Sequence, residues 1–387
     1  MRDGVAFTEI PVTPFAKLFE LVNPDRTSFE LSPEHDAELF IDLDDVAGWL
    51  DLRVQQQDPA PQLVITGDFG TGKSHVLRYI EKRLAPDRAI RPVYFELGSF
   101  MRRSSFNDLH ITVMVELGEL LENNLARVQG LTAVLDEKTS LKGDIKTAFT
   151  QLADPTLPSA KRAMLRSWLR GTGPTPTQAR KDLNFSGRLF DSASSVTLVN
   201  IWKAAGELQR AVDGRSLMIL MDEGEAFSKM VSPDAQAAMG SGLRTLFDAG
   251  NRSLGIALGL NTPSSRKGIH PMLQSDVASR TQGKQRALLP LGDPLRIRRF
   301  IEGLWGHLRS PNAAHRLLDE GAMEVVANQL RELRNAISLR SQTLSPTPTQ
   351  RDLISVLRYV SELAFRDGKS PPLTRDMLNS WFPSKSA

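Results

Sequence analysis

Apolar and polar positions repeat along this chain with two different periods, and the switches between them mark its elements. Five short apolar runs read as strands: QLVIT (62–66), PVYFEL (92–97), SLMILM (216–221), SLGIALGL (253–260) and ALLPL (287–291). Short apolar runs bounded by turn residues fit strands covered on both faces of a sheet. Elsewhere the period lengthens. Residues 74–84 place Val76, Leu77, Ile80 and Leu84 on one helical face. The same pattern predicts helices over 110–128, 160–171 and 196–212, then over 293–309, 318–335, 349–368 and, more briefly, 373–382. Residues 35–54 carry Leu39, Leu43, Val46, Trp49, Leu50 and Val54 at near-helical spacing, so a helix is expected there as well.

Strands separated by helices over the first 290 residues predict an α/β protein with a parallel sheet and a helical appendage. The expected organisation has three parts. Residues 1–60 are an acidic N-terminal segment leading into the core. Residues 61–292 form the core, with a helical insertion at about 100–210. Residues 293–387 form a C-terminal helical lid. At roughly 100–200 residues per domain, a chain of 387 residues has ample length for a buried core.

Composition narrows the function classes. With 41% hydrophobic and 24% charged residues the chain is of ordinary globular type. It contains 0 Cys, which excludes a disulfide scaffold, a thiolate metal site and a cysteine nucleophile. No apolar run approaches the roughly 18 residues of a membrane helix. The opening MRDGVAFTEIPVTPF has no apolar stretch of signal-peptide length, so a soluble cytoplasmic protein is expected. The net charge of +3 conceals an asymmetry: residues 1–60 hold 4 Lys/Arg against 13 Asp/Glu, and residues 61–387 hold 44 against 32. A basic body of this kind permits a polyanion partner, duplex DNA being one. The local basic residues available for it are scattered: Arg102, Arg103, Arg266, Lys267, Lys284 and Arg286.

The chemistry concentrates in two motifs. Gly67-Asp68-Phe69-Gly70-Thr71-Gly72-Lys73-Ser74 fits GxxxxGK[ST] at every fixed position, with a strand before it and a helix after. The glycines let the backbone curl so that N–H groups point at phosphate oxygens, and the helix adds its positive end. Lys73 would reach the β- and γ-phosphates of ATP, and the Ser74 hydroxyl would ligate Mg²⁺; His75 follows in the same turn. The strand 216–221 runs into Asp222 and Glu223. Asp222 would hold Mg²⁺, and Glu223 would orient and deprotonate the attacking water. Glu225 is a third acid nearby, better suited to a solvated or structural role.

Three further residues are candidates for the same chemistry. Asn261, at the end of the strand over 255–260, would hydrogen-bond the γ-phosphate or the attacking water; otherwise it turns the chain before Thr262-Pro263. Arg280 would reach a neighbouring subunit's nucleotide and stabilise transition-state charge, worth roughly 10³–10⁵ in rate; a surface arginine is the plain alternative. Arg375, in LTRDML, is a candidate lid arginine acting on the γ-phosphate of its own chain. The six His show no metal-binding pair, and no GxSxG occurs.

With these residues in hand the chain resembles the AAA+ ATPases of the origin-recognition branch. It is more closely similar to stand-alone bacterial ATP-binding proteins of BREX-type phage-defence systems, through 67–80, 164–171 and 217–227. The resemblance implies a P-loop fold with a five-stranded parallel sheet in 5-1-4-3-2 order, a helical lid, and nucleotide held between subunits of a homo-oligomer. It implies a partner protein too: a nuclease, a methyltransferase or another effector. Two departures stand out. Lys73 and Asp222 are 149 residues apart, which places an inserted helical block between them. No winged-helix DNA-binding domain is read after the lid, so DNA contact by that route is not expected. Two functions fit: an ATPase that loads or remodels a partner on DNA, and a nucleotide-gated switch with slow hydrolysis.

Overall fold

The computed structural model describes residues 12–55, 61–87, 89–97, 105–224, 233–248, 252–261, 280–281, 283–340 and 346–382. Five strands form one sheet: β1 (Gln62–Gly67), β2 (Ile90–Glu96), β3 (Ser216–Asp222), β4 (Leu254–Asn261) and β5 (Gln285–Leu288). Their order is β2-β3-β4-β1-β5, which read from the other edge is the 5-1-4-3-2 order that the resemblance implies. The pairs β2–β3, β3–β4 and β4–β1 are parallel. Every residue of β3 is buried, as its unbroken apolar run requires of a central strand. The last strand lies two residues earlier than the apolar run predicts. It is a short edge strand with mixed exposure, and Leu291 belongs to the core of the C-terminal helices instead.

The chain divides into two compact units. One comprises 46–67 and 76–287 and holds the sheet and the helical insertion. The insertion is led by the 22-residue helix Phe106–Arg127, opened by a capping box in which Ser105 and Asp108 satisfy each other's backbone N–H groups. Its apolar stripe, with Leu109, Val113 and Leu117, shares one core with Trp168, Trp202 and the strand residues Ile219 and Met221. His110 is fully buried in that core. Its Nε2–H donates to the Leu169 carbonyl at 2.8 Å, and its Nδ1 accepts the Trp202 indole N–H at 3.0 Å. Burial pushes its pKa down to about 4, so the imidazole is neutral.

The other unit comprises 1–45, 68–75 and 288–387. Its helices Pro294–Leu308, Glu320–Arg340, Gln350–Arg366 and Arg375–Trp381 fall where the sequence pattern predicts helices. The described N-terminal residues belong to the same core. Phe15, Phe19 and Phe29 cluster with ring centroids 4.7–5.5 Å apart, and Phe29 lies 6.2 Å from Trp305. The helix expected across 35–54 is confined to Val46–Gln55, preceded by one 3₁₀ turn at Ala37–Leu39. Between them Asp45 adopts φ +53°, which a continuous helix does not allow. Leu39, Ile41 and Leu43, spaced two apart, pack on the lid core. Two periods placed end to end therefore mimic one helical period.

Candidate functional site

Parallel pairing puts the carboxyl ends of four strands at one edge of the sheet. Gly67 at the end of β1 is in register with Asn261, Met221 with Leu258, and Glu96 with Asp222. The phosphate-loop sequence leaves β1 there, and the helix Lys73–Leu84 follows it. The crevice beyond the carboxyl ends of parallel strands is where open α/β sheets bind ligands.

Within the loop, Gly70 and Gly72 have φ +88° and +89°, a region that L side chains rarely enter. Thr71 is buried, and its N–H and hydroxyl both donate to the Asp68 carbonyl, at 3.2 and 2.9 Å. Lys73 is 7% exposed, and its Nζ donates to the same carbonyl at 3.0 Å. One backbone oxygen therefore ties the curl to the lysine. A Cβ at Gly72 would meet nothing within 4 Å, so the backbone there is open to close approach by a phosphate. The His75 ring lies 6.3 Å from Phe40.

Lid residues meet this loop within their unit. The Arg351 N–H donates to the Gly70 carbonyl at 3.0 Å, and its guanidinium lies 4.4 Å from the centre of the half-exposed Phe69 ring. Thr349 and Asp352 form a capping box at the start of the Gln350–Arg366 helix, and Thr349 Oγ1 is the atom nearest Gly70's missing Cβ. Arg334, 3% exposed, pairs with Asp352 at 3.4 Å. Arg375, the lid arginine picked out from the sequence, instead faces Glu324 at 3.7 Å on the exposed surface. Arg351 is not singled out by the sequence, although its position in the first turn of an amphipathic helix is legible there.

In the sheet unit, Asp222 is 2% exposed. Its Oδ1 accepts the Glu223 N–H at 2.7 Å, and its Oδ2 accepts the Tyr94 hydroxyl at 2.9 Å. Glu223 is exposed and has φ +56°, a strained conformation of the kind that collects at functional sites. Tyr94, on β2, carries the Arg78 guanidinium over its ring at 3.3 Å. Burial, reinforced by the Asp222 carboxylate, pushes the Tyr94 phenol well above its ordinary value, so the hydroxyl remains a donor. From the sequence alone Tyr94 is legible only as a residue of the strand over 92–97. Asn261, at the end of β4, has a buried side-chain oxygen with no hydrogen-bond partner among the described residues. Arg280 pairs with Asp248 at 2.8 Å.

The Ser74 hydroxyl and the Asp222 carboxylate are each a hard oxygen donor, the type that Mg²⁺ takes together with substrate phosphates rather than an all-protein cage. Among the described residues no group of three or more His, Asp and Glu is placed to hold a metal by itself. Lys284, one of the scattered basic residues, is committed to structure: its Nζ donates to Gln62 Oε1 and, at 3.2 Å, to the Phe247 carbonyl. Arg102, Arg103, Glu225, Arg266 and Lys267 lie outside the described residues. No helix among the described residues is long and apolar enough to cross a membrane.

No protein-family model matches the chain, and no curated protein matches it. Among solved structures, the Aeropyrum pernix ORC2 protein, described as ADPNP-ADP complexes, is similar at a TM-score of 0.43 and 12% identity, over 92% of this chain and 69% of that one. PCH-2 of C. elegans is similar at a TM-score of 0.28 and 10% identity, over 85% of this chain and 67% of that one.

Proposed function

We propose that this protein is an Mg²⁺-dependent ATPase of AAA+ type, which assembles around ATP and uses its binding and hydrolysis to load or remodel a partner on DNA. The observation that carries the reading is the pairing of the GxxxxGK[ST] loop after β1 with the Asp222-Glu223 pair closing β3, in a sheet ordered 5-1-4-3-2. Phage defence is the setting that the sequence resemblance favours, with a nuclease, methyltransferase or other effector as the protein partner.

In this reading the loop N–H groups and Lys73 bind the β- and γ-phosphates. Ser74 and Asp222 hold Mg²⁺, which offsets phosphate charge when bound. Glu223 orients a water and accepts its proton as the oxygen attacks the γ-phosphorus, releasing ADP and phosphate. The unpaired Asn261 oxygen suits a hydrogen bond from that water. Arg351 is the lid arginine assigned to the nucleotide. Arg280 would act on a neighbouring subunit's nucleotide after exchanging Asp248 for phosphate.

Light scattering tests assembly: the protein alone, with ADP, and as Glu223→Gln with ATP, each with and without duplex DNA. The reading expects an ATP-dependent assembly that DNA enlarges. A particle of one size throughout contradicts it. Slow turnover that DNA leaves unchanged, with ATP-dependent assembly retained, selects the nucleotide-gated switch.

A further inference from the structure

Tyr94 stands outside the motifs that define the site, yet it makes the one side-chain hydrogen bond to Asp222 found among the described residues. Asp222 is held from two sides. The Glu223 backbone N–H fixes Oδ1, and the Tyr94 hydroxyl fixes Oδ2. With both oxygens anchored, the carboxylate cannot rotate freely about its Cβ–Cγ bond. Each oxygen still has a lone pair for a metal or a metal-bound water. Tyr94 itself is held by its place on β2, in register with Leu220, and by the Arg78 guanidinium on its ring face. Arg78 is in turn paired with Glu81 at 2.8 Å.

We infer that Tyr94 is a positioning residue for the metal-binding carboxylate: its hydroxyl orients Asp222 and so sets how much Mg²⁺ the protein needs to bind ATP. This rests on the proposed reading of Asp222 as the Mg²⁺ ligand. Partners that orient a metal-binding carboxylate typically contribute 10–100-fold to metal affinity. Tyr94→Phe removes the hydroxyl and keeps the ring, so the stack with Arg78 survives.

The test titrates a fluorescent, non-hydrolysable ATP analogue onto the full chain at a series of Mg²⁺ concentrations and in EDTA. Tyr94→Phe is expected to raise the Mg²⁺ concentration at half-effect by about tenfold, with EDTA affinity unchanged. Unchanged EDTA affinity also reports that the variant is folded. If that affinity falls, Tyr94→Met, which fills the site without any hydrogen-bond donor, is compared in the same titration, and a wild-type Mg²⁺ midpoint in that variant with its EDTA affinity intact overturns the inference. Superimposable Mg²⁺ curves for wild type and Tyr94→Phe overturn it too, while leaving the ATPase reading intact. A wild-type protein whose analogue binding ignores Mg²⁺ overturns both.

Discussion

The backbone N–H of Arg351 donates to the carbonyl of Gly70 at 3.0 Å, so a lid helix begins on the phosphate loop. The same residue lays its guanidinium on the ring of Phe69, itself a residue of that loop. Arg351→Ala should therefore cut ATP turnover by about tenfold or more, the scale expected for losing one charge-stabilising donor. Arg375→Ala, whose partner is the exposed Glu324, should leave turnover nearly unchanged. Steady-state phosphate release measures both, and the opposite ranking refutes the assignment.

The buried pair behind that junction should dominate lid stability. Asp352 accepts the Thr349 N–H and hydroxyl, both at 2.8 Å, and faces the buried Arg334. Removing the carboxylate uncaps a helix and takes a countercharge from a buried guanidinium. Asp352→Ala should cost about 3 kcal/mol, the lower end for breaking a buried pair. Urea denaturation of the full chain checks it, and a loss below about 1 kcal/mol places the pair among inconsequential surface bridges.

Gly70 and Gly72 share a left-handed backbone but differ in surroundings. A Cβ on Gly70 would lie 2.6 Å from Thr349 Oγ1 and 3.1 Å from Arg351 Cβ, whereas one on Gly72 meets nothing. Both Gly→Ala changes carry the left-handed penalty of about 1–2 kcal/mol. Gly70→Ala should in addition lower the melting temperature through its clash with the lid residues. Thermal melts of the two variants separate strain from clash, and equal melting temperatures contradict the packing described.

His110 gives the helical insertion a pH dependence. Its pKa is about 4 in the folded chain, against an ordinary value of 6.5. The unfolded chain therefore binds the proton first as pH falls. The stability held by the neutral imidazole is complete above pH 6.5 and drains away toward pH 4, at most about 3 kcal/mol in all. His110→Gln keeps a donor and an acceptor without titrating, so it should flatten the slope between pH 6.5 and 4. Urea midpoints across that window measure it, and parallel slopes for wild type and variant would show that another group titrates.

The parts of this molecule that depend on neighbours in sequence were legible in the sequence. The strands β1 to β4 announce themselves as apolar runs, and the phosphate loop needs glycine, lysine and serine at fixed spacing. Contacts set by tertiary packing were not. Tyr94 meets Asp222 across 128 positions, and Arg351 meets Gly70 across 281. Periodicity failed where extended and helical stretches adjoin, as at Leu39-Ile41-Leu43 before the Val46–Gln55 helix. It also misplaced β5, because apolar residues from Leu288 onward serve both the end of an edge strand and the lid core.

The central claim is that Asp222 and Glu223 serve hydrolysis of ATP bound by the Gly67–Ser74 loop. Its most direct test pairs ATP binding with phosphate release in wild type, Lys73→Ala and Glu223→Gln. Glu223→Gln should bind ATP as wild type does and release phosphate at least 10²-fold more slowly, the lower range for losing a general base. Lys73→Ala should lose binding. Wild-type turnover in Glu223→Gln would contradict the account.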